Sequence, residues 1–193
     1  MLPAIGGGVG MPTCTIFAAG RPSPKGSYVP VPIKAKGGGY SGKFFLKPSC
    51  QGTKAWEAHV KAAAMADWMA DGNAMLKRPE GVVLECIFSI ARPKGHWKTQ
   101  RGEPIGDLKK GVEKRLTGTR GVGDVDKLAR CVLDALTGVV YEDDCQVDVL
   151  NAQKRYAFFN EVEGVLIKVF WEGPDDQATE GQDDYRGRGV VNI

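Results

Sequence analysis

Hydrophobic positions along the chain change their period, and the changes mark out its elements. Thr13-Cys14-Thr15-Ile16-Phe17 alternates as a first strand, and Gly20-Arg21-Pro22-Ser23-Pro24-Lys25-Gly26 ends it as a loop. Segments 28–36 and 40–47, separated by Gly37-Gly38-Gly39, predict a hairpin. Pro30 and Pro32 lack an N–H, which confines its first arm to an edge or an extended loop. From Thr53, read as an N-cap, residues Lys54 to Asp71 space Trp56, Val60, Ala63, Ala64 and Trp68 as on a helix, with Gly72-Asn73 as the stop. Its Trp and Met stripe reads as core packing rather than a cofactor site. Val82 to Ile90 alternates again, as a well-buried strand.

The next segment breaks the pattern. Residues 92–122 are interrupted by Gly95, Gly102, Gly106, Gly111, Gly118 and Gly121, and a loop of that length in a compact domain is usually functional or disordered. A long, partly mobile loop is expected. Period 3.6 returns from about Asp126 to Leu136, with Leu128, Cys131, Val132, Ala135 and Leu136 in one stripe and Thr137-Gly138 as the end. After Glu142-Asp143-Asp144, the runs Gln146 to Tyr156 and Val165 to Trp171 predict two neighbouring strands, joined by a turn near 160–164. The organisation expected is a flexible start over 1–11, one domain over 12–172 and a disordered acidic tail over 173–193.

Composition narrows the chemistry. With 193 residues, 42% hydrophobic and 25% charged, the chain suits one soluble domain with one active site. No run of about 18 apolar residues predicts a membrane span. Met1 to Gly8 has no basic n-region, so the cytoplasm is the expected location. Cys14, Cys50, Cys86, Cys131 and Cys145 are odd in number and show no Cys-x-x-Cys spacing, which points to reduced thiols rather than disulfides or a zinc site. His59 and His96 are the only histidines, too few for a histidine-rich metal centre. The net charge of +3 conceals segregation: between Arg92 and Arg120 nine bases face three acids. Arg92, Lys94, Lys98, Arg101, Lys109, Lys110, Lys114, Arg115 and Arg120 make a footprint for a polyanion. The plain alternative is a solvated loop.

The candidate chemistry lies in carboxylates. Asp124 and Asp126 are two apart in an extended lead-in to the second helix, so both point the same way. Asp126 also suits the helix start, where unsatisfied N–H groups and the dipole favour a carboxylate. Asp126, Arg130 and Asp134 then share one flank. Asp143-Asp144 precedes a strand expected to return antiparallel to this cluster. If Asp144 opens that strand, Lys154 shares its parity and balances phosphate charge at the same place. Hard oxygen ligands of this kind suit magnesium. Taken singly, Asp-x-Asp is equally a cap with a surface charge, and Asp143-Asp144 equally a turn.

The ordered combination is more specific. Asp124 to Val147 (Asp-Val-Asp-Lys-Leu-Ala-Arg-Cys-Val-Leu-Asp-Ala-Leu-Thr-Gly-Val-Val-Tyr-Glu-Asp-Asp-Cys-Gln-Val) resembles the signature of RusA-like crossover-junction endodeoxyribonucleases. That signature has an Asp-x-Asp-Asn-Leu-x-Lys start, an Asp-Ala-Leu helix end and an Asp-Asp-x-Gln-Val turn. The resemblance extends to the Gly20 to Lys25 loop, to Arg92-Pro93-Lys94 and to Lys154, covering roughly 13–171 and specific over 124–154. It implies a single α+β domain with a small mixed sheet and two main helices, acting as a homodimer. It makes Asp124, Asp126 and Asp144 the metal-binding catalytic carboxylates, with magnesium or manganese as the cofactor. The activity implied is resolution of four-way DNA junctions, in recombination and repair, by proteins many of which phages encode. For a phage protein the location becomes the host cytoplasm.

Two positions depart from the signature. Lys127 stands where Asn is common, and Arg130 where a catalytic lysine is common; arginine keeps the charge but holds its proton and presents a planar fork. The leading function is magnesium-dependent hydrolysis of branched DNA, with Arg130 and Lys154 offsetting developing charge. Arg21, Lys25, Arg92, Lys94, Lys98, Lys109, Lys110, Lys114, Arg115 and Arg120 are the DNA-binding set. The rivals are a catalytically inactive branched-DNA binding protein of the same fold and an enzyme acting on small phosphate esters, the latter leaving the basic segment unexplained.

Overall fold

The computed structural model describes residues 12–26, 28–48, 52–113, 115–116 and 122–172. The expected flexible start and acidic tail lie outside the described residues, as do Cys50, Lys114 and Arg120. Apolar alternation produces β1 (Thr13–Ala19), β4 (Val82–Ile90) and β8 (Gly164–Trp171), and the predicted hairpin is β2 (Tyr28–Lys34) paired with β3 (Tyr40–Pro48). The helices are α1 (Thr53–Ala70) and α2 (Val125–Leu136). The remaining strands are β5 (Trp97–Gln100), β6 (Glu103–Leu108) and β7 (Val147–Tyr156), and 3-10 turns lie at Lys94–His96 and Asp144–Gln146.

The result is an α+β fold around a mixed four-stranded sheet in the order β1-β8-β4-β7. β8 runs antiparallel to both β1 and β4, with Ile167 opposite Ile16 and Cys86, while β7 runs parallel to β4 with Ala152 beside Cys86. One face carries Cys14, Ile16, Val82, Leu84, Cys86, Phe88, Val165, Ile167 and Val169, all buried in a single core with the apolar stripes of α1 and α2. Thr15, Phe17 and Lys168 on the opposite face stay exposed. Trp68 packs on Trp171 with centroids 4.9 Å apart, and its Nε1 donates to the Ala74 carbonyl at 3.1 Å, which satisfies the buried indole. Cys14, Cys86 and Cys131 are buried free thiols, and burial pushes Cys86 up to about 12. Among the described residues no helix is long and apolar enough to cross a membrane.

Three expectations are corrected. β7 and β8 are not neighbours: β4 lies between them, because its fully buried apolar face takes an interior place, and 157–163 carry the chain across its end. β7 pairs in parallel with β4, and the connection from β4 contains β5, β6 and α2, long enough for a parallel crossover. Gly52 is the N-cap of α1, and the Thr53 hydroxyl instead donates to the Pro24 carbonyl at 3.0 Å. The segment expected as a mobile loop is partly a hairpin, β5 paired with β6.

Candidate active site

The lead-in to α2 is wedged into place. Gly123 has φ +86, and a Cβ there would lie 2.6 Å from both Cβ and Cγ of Pro24; conformation and space both demand glycine. The Gly20 to Lys25 loop that carries Pro24 holds α2 at two further points. Lys25 N–H donates to the Lys127 carbonyl at 2.9 Å, and the Lys25 ammonium forms an ion pair with Asp134. Asp124 rather than Asp126 is the N-cap residue, extended at φ −81 and ψ 150. Its carboxylate makes no capping bond and pairs with Lys127 Nζ at 3.1 Å. The buried stripe of α2 turns Asp126, in the first turn, and Arg130 to the exposed flank.

The acidic turn is organised by a glutamine. Gln146 is only 6% exposed. Its Oε1 accepts from the N–H groups of Glu142 at 3.0 Å and Asp143 at 3.2 Å, and its Nε2 donates to the Glu80 carbonyl at 3.1 Å. Asp143 caps the 3-10 turn through the Cys145 N–H at 3.0 Å and pairs with Arg78 at 2.9 Å. Hydrogen bonds from the Cys145 N–H and thiol, then the Arg78 charge, hold its carboxyl below the usual range. Glu142 is lowered chiefly by its hydrogen bond from Lys77. Asp143 is thus a structural acid, and Asp144 beside it is exposed. Tyr141 ties this turn to α2, donating to the Leu133 carbonyl at 3.1 Å. Burial, then the Asp144 charge, raise its pKa strongly.

Lys154 closes the arrangement from β7. Its ammonium donates to the Gly123 carbonyl at 2.8 Å, against the residue that precedes Asp124. Strand parity with Asp144 does not explain this, because Asp144 lies in the 3-10 turn and not in the strand. Asp124, Asp126 and Asp144 sit on adjoining elements, since α2 contacts both the 3-10 turn and β7. Among the described residues, no three His, Cys, Asp or Glu side chains converge to hold a metal. The donor chemistry fits a hard cation nonetheless: ion pairs among the described residues leave Asp126 and Asp144 without a basic partner.

The cationic segment lies against the same end of β7. Arg92 stacks 4.0 Å from the Tyr156 ring centroid and donates to the Glu113 carbonyl at 2.6 Å. Lys98 pairs with Asp107 across the hairpin at 3.3 Å. Arg21, Lys94, Lys109, Lys110 and Arg115 are exposed. Two hollows, of about 720 and 510 Å³, flank Arg92 and Tyr156. Gln146, Tyr141 and the aromatic residues of the larger hollow were not singled out as site residues from sequence. The Gln in Asp-Asp-x-Gln-Val was the one available signal.

Against this geometry, a family model described as Endodeoxyribonuclease RusA matches residues 30–169, from within β2 to near the end of β8. No curated protein matches the chain.

Gln146→Ala leaves the Glu142 and Asp143 amides and the Glu80 carbonyl without their partner, and should cost about 1–3 kcal/mol in urea denaturation. Amide exchange should accelerate at 142–144 specifically. Unchanged stability together with unchanged exchange would show that the turn holds itself.

Proposed function

The chain belongs to the RusA endodeoxyribonuclease family, and we propose that it is a structure-selective, magnesium-dependent nuclease that resolves Holliday junctions or other branched DNA. The observation that carries this reading is the Lys154 contact with Gly123, which sets a β7 cation beside the Asp124 lead-in. In this reading Asp124, Asp126 and Asp144 hold magnesium, or manganese. The bound ion supplies a Lewis acid for the phosphate and lowers the pKa of a water. Lys154 and Arg130 place fixed positive charge where the transition state gains negative charge. Arg130 keeps its proton, so it binds the phosphate without acting as an acid. Arg21, Lys25, Arg92, Lys94, Lys98, Lys109, Lys110 and Arg115, with Lys114 and Arg120 from sequence, grip the DNA backbone. Phage origin, work in the cytoplasm and a role in recombination and repair belong to the same proposal.

A second reading has its own support. Lys127 occupies Asp124, and Arg130 replaces the common lysine, so the alternative is a branched-DNA binding protein without catalysis. Magnesium-dependent cutting of a synthetic four-way junction, absent on the matched linear duplex, decides between them.

Three results are expected. Asp124→Asn, Asp126→Asn and Asp144→Asn should each lower single-turnover cleavage by orders of magnitude while junction affinity in a chelator is kept or rises, because carboxylate–phosphate repulsion is relieved. Asp143→Asn should be milder, acting through the turn. Wild-type cutting by Asp144→Asn would overturn the site. Replacing Lys109, Lys110, Lys114 and Arg115 by Ala should flatten the salt dependence of junction binding by about 0.9 in log–log slope for each phosphate that is no longer neutralised; an unchanged slope would make them a solvated loop. Cutting two strands of a symmetric junction calls for a homodimer, and sedimentation showing only monomer, free and on the junction, would refute it.

A further inference from the structure

We propose that the 720 Å³ hollow beside Lys154 binds one unstacked nucleobase of the branched DNA, with Phe158 and Phe159 as its stacking residues; this rests on the nuclease reading above. The hollow lies between the β5–β6 hairpin and the turn after β7, and its aromatic wall is Trp97, Tyr156, Phe158 and Phe159. Its volume falls within the range of about 300–1,000 Å³ typical of small-ligand sites.

Core packing does not account for the two phenylalanines. Phe158 is 70% exposed and Phe159 40%, yet the turn presenting them is firmly held. Glu161 accepts from the Phe158 N–H at 2.6 Å, from Arg155 at 2.7 and 2.6 Å, and from Ser89 Oγ at 2.9 Å. The Arg155 guanidinium lies over the Phe158 ring, 4.5 Å from its centroid, and backs that ring with a cation on one face. Trp97 meets Phe159 edge-on at 5.3 Å. Room for this contact comes from Gly106, where a Cβ would lie 3.0 Å from Phe159 Cδ1. The aromatic surface is therefore built before any ligand arrives.

Charge identifies the class of ligand. The described lining includes Arg92, Arg115, Lys154 and Arg155 and no carboxylate residue. Aromatic faces ringed by cations refuse a cationic guest and suit a flat ring joined to phosphates, which is a nucleotide. Location completes the argument: Lys154 lines the hollow and also holds the Gly123 carbonyl. A base seated there puts its own phosphate next to the Asp124 lead-in. Bases at a branch point are less well stacked than those in duplex and cost less to extract, so the pocket favours branched over linear DNA.

The test uses the full chain in a chelator, so that binding is read without cutting. The probes are a four-way junction, the same junction with a single abasic site moved through the exchange point, and a linear duplex. Phe158→Leu and Phe159→Leu keep apolar bulk, the latter against Trp97 and Gly106, and remove the ring face. Their junction affinity should fall about tenfold each, with duplex affinity unchanged. At one abasic position the wild type should weaken as much, and the Leu variants no further. Equal weakening on junction and duplex, no weakening, or effects that add at every abasic position would overturn the proposal. So would Leu variants that shift sedimentation instead, marking a contact between copies. In a parallel arm with magnesium, a wild type that cuts junctions while the Leu variants bind normally in the chelator sinks the pocket alone; a wild type that binds no junction sinks the nuclease reading with it.

Discussion

Neighbouring carboxylates repel one another, so a chain that presents several must hold them by their backbone rather than by their charge. The links here are of that kind. The Asp144 turn is fixed by the Gln146 amide, which bonds the main chain at Glu142, Asp143 and Glu80. The Asp124 lead-in is fixed by the fit of Gly123 against Pro24 and by the bond from Lys154 to the Gly123 carbonyl. Neither device neutralises Asp126 or Asp144. Charge pairing falls instead on their neighbours, with Arg78 on Asp143, Lys77 on Glu142 and Lys25 on Asp134. The unusual member is Asp124, whose partner Lys127 sits one turn along the helix.

The division of labour explains what was legible beforehand. β4 and the end of α2 were readable to the residue, because each is an uninterrupted run of one period, two in the strand and 3.6 in the helix. The β2–β3 hairpin was readable from three glycines between extended arms. Sheet order was not, since periodicity states which face is buried and says nothing of neighbours; only β4's double-sided pairing separates β7 from β8. The β5–β6 hairpin was read as a loop because Lys98, Thr99 and Gln100 do not alternate. Its turn is Arg101-Gly102, both at positive φ, and an arginine is an uncommon choice there. The role of Gln146 was hidden for a different reason: its carbonyl partner Glu80 is 66 residues away.

The candidate site was legible as residue types and not as an arrangement. Asp124 and Asp126 stood out by spacing and Asp143-Asp144 as a pair, and only the resemblance to RusA-like enzymes singled out Asp144; the elements carrying these residues adjoin. The reasoning that brought Lys154 to the same place assumed a strand from Asp144, whereas a 3-10 turn intervenes and the lysine arrives by running beside β4. Asp143 and Asp144 look alike in sequence. Their environments part them, since one is bonded to Cys145 N–H and Arg78 and the other is left to the surface.

The interior place of β8 has a consequence for the order in which the sheet is completed. β1 at one end of the chain pairs with β8 near the other, Thr13 opposite Phe170, and β8 in turn supports β4. Contacts so distant in sequence form late, after the loop-closure entropy between them has been met. A growing chain that has reached Tyr156 already carries Asp124, Asp126, Asp144 and Lys154, but its sheet still lacks the strand joining β1 to β4. Synthesis itself then sets the order of assembly: residues 124–154 are made first, and the strand that completes the sheet follows.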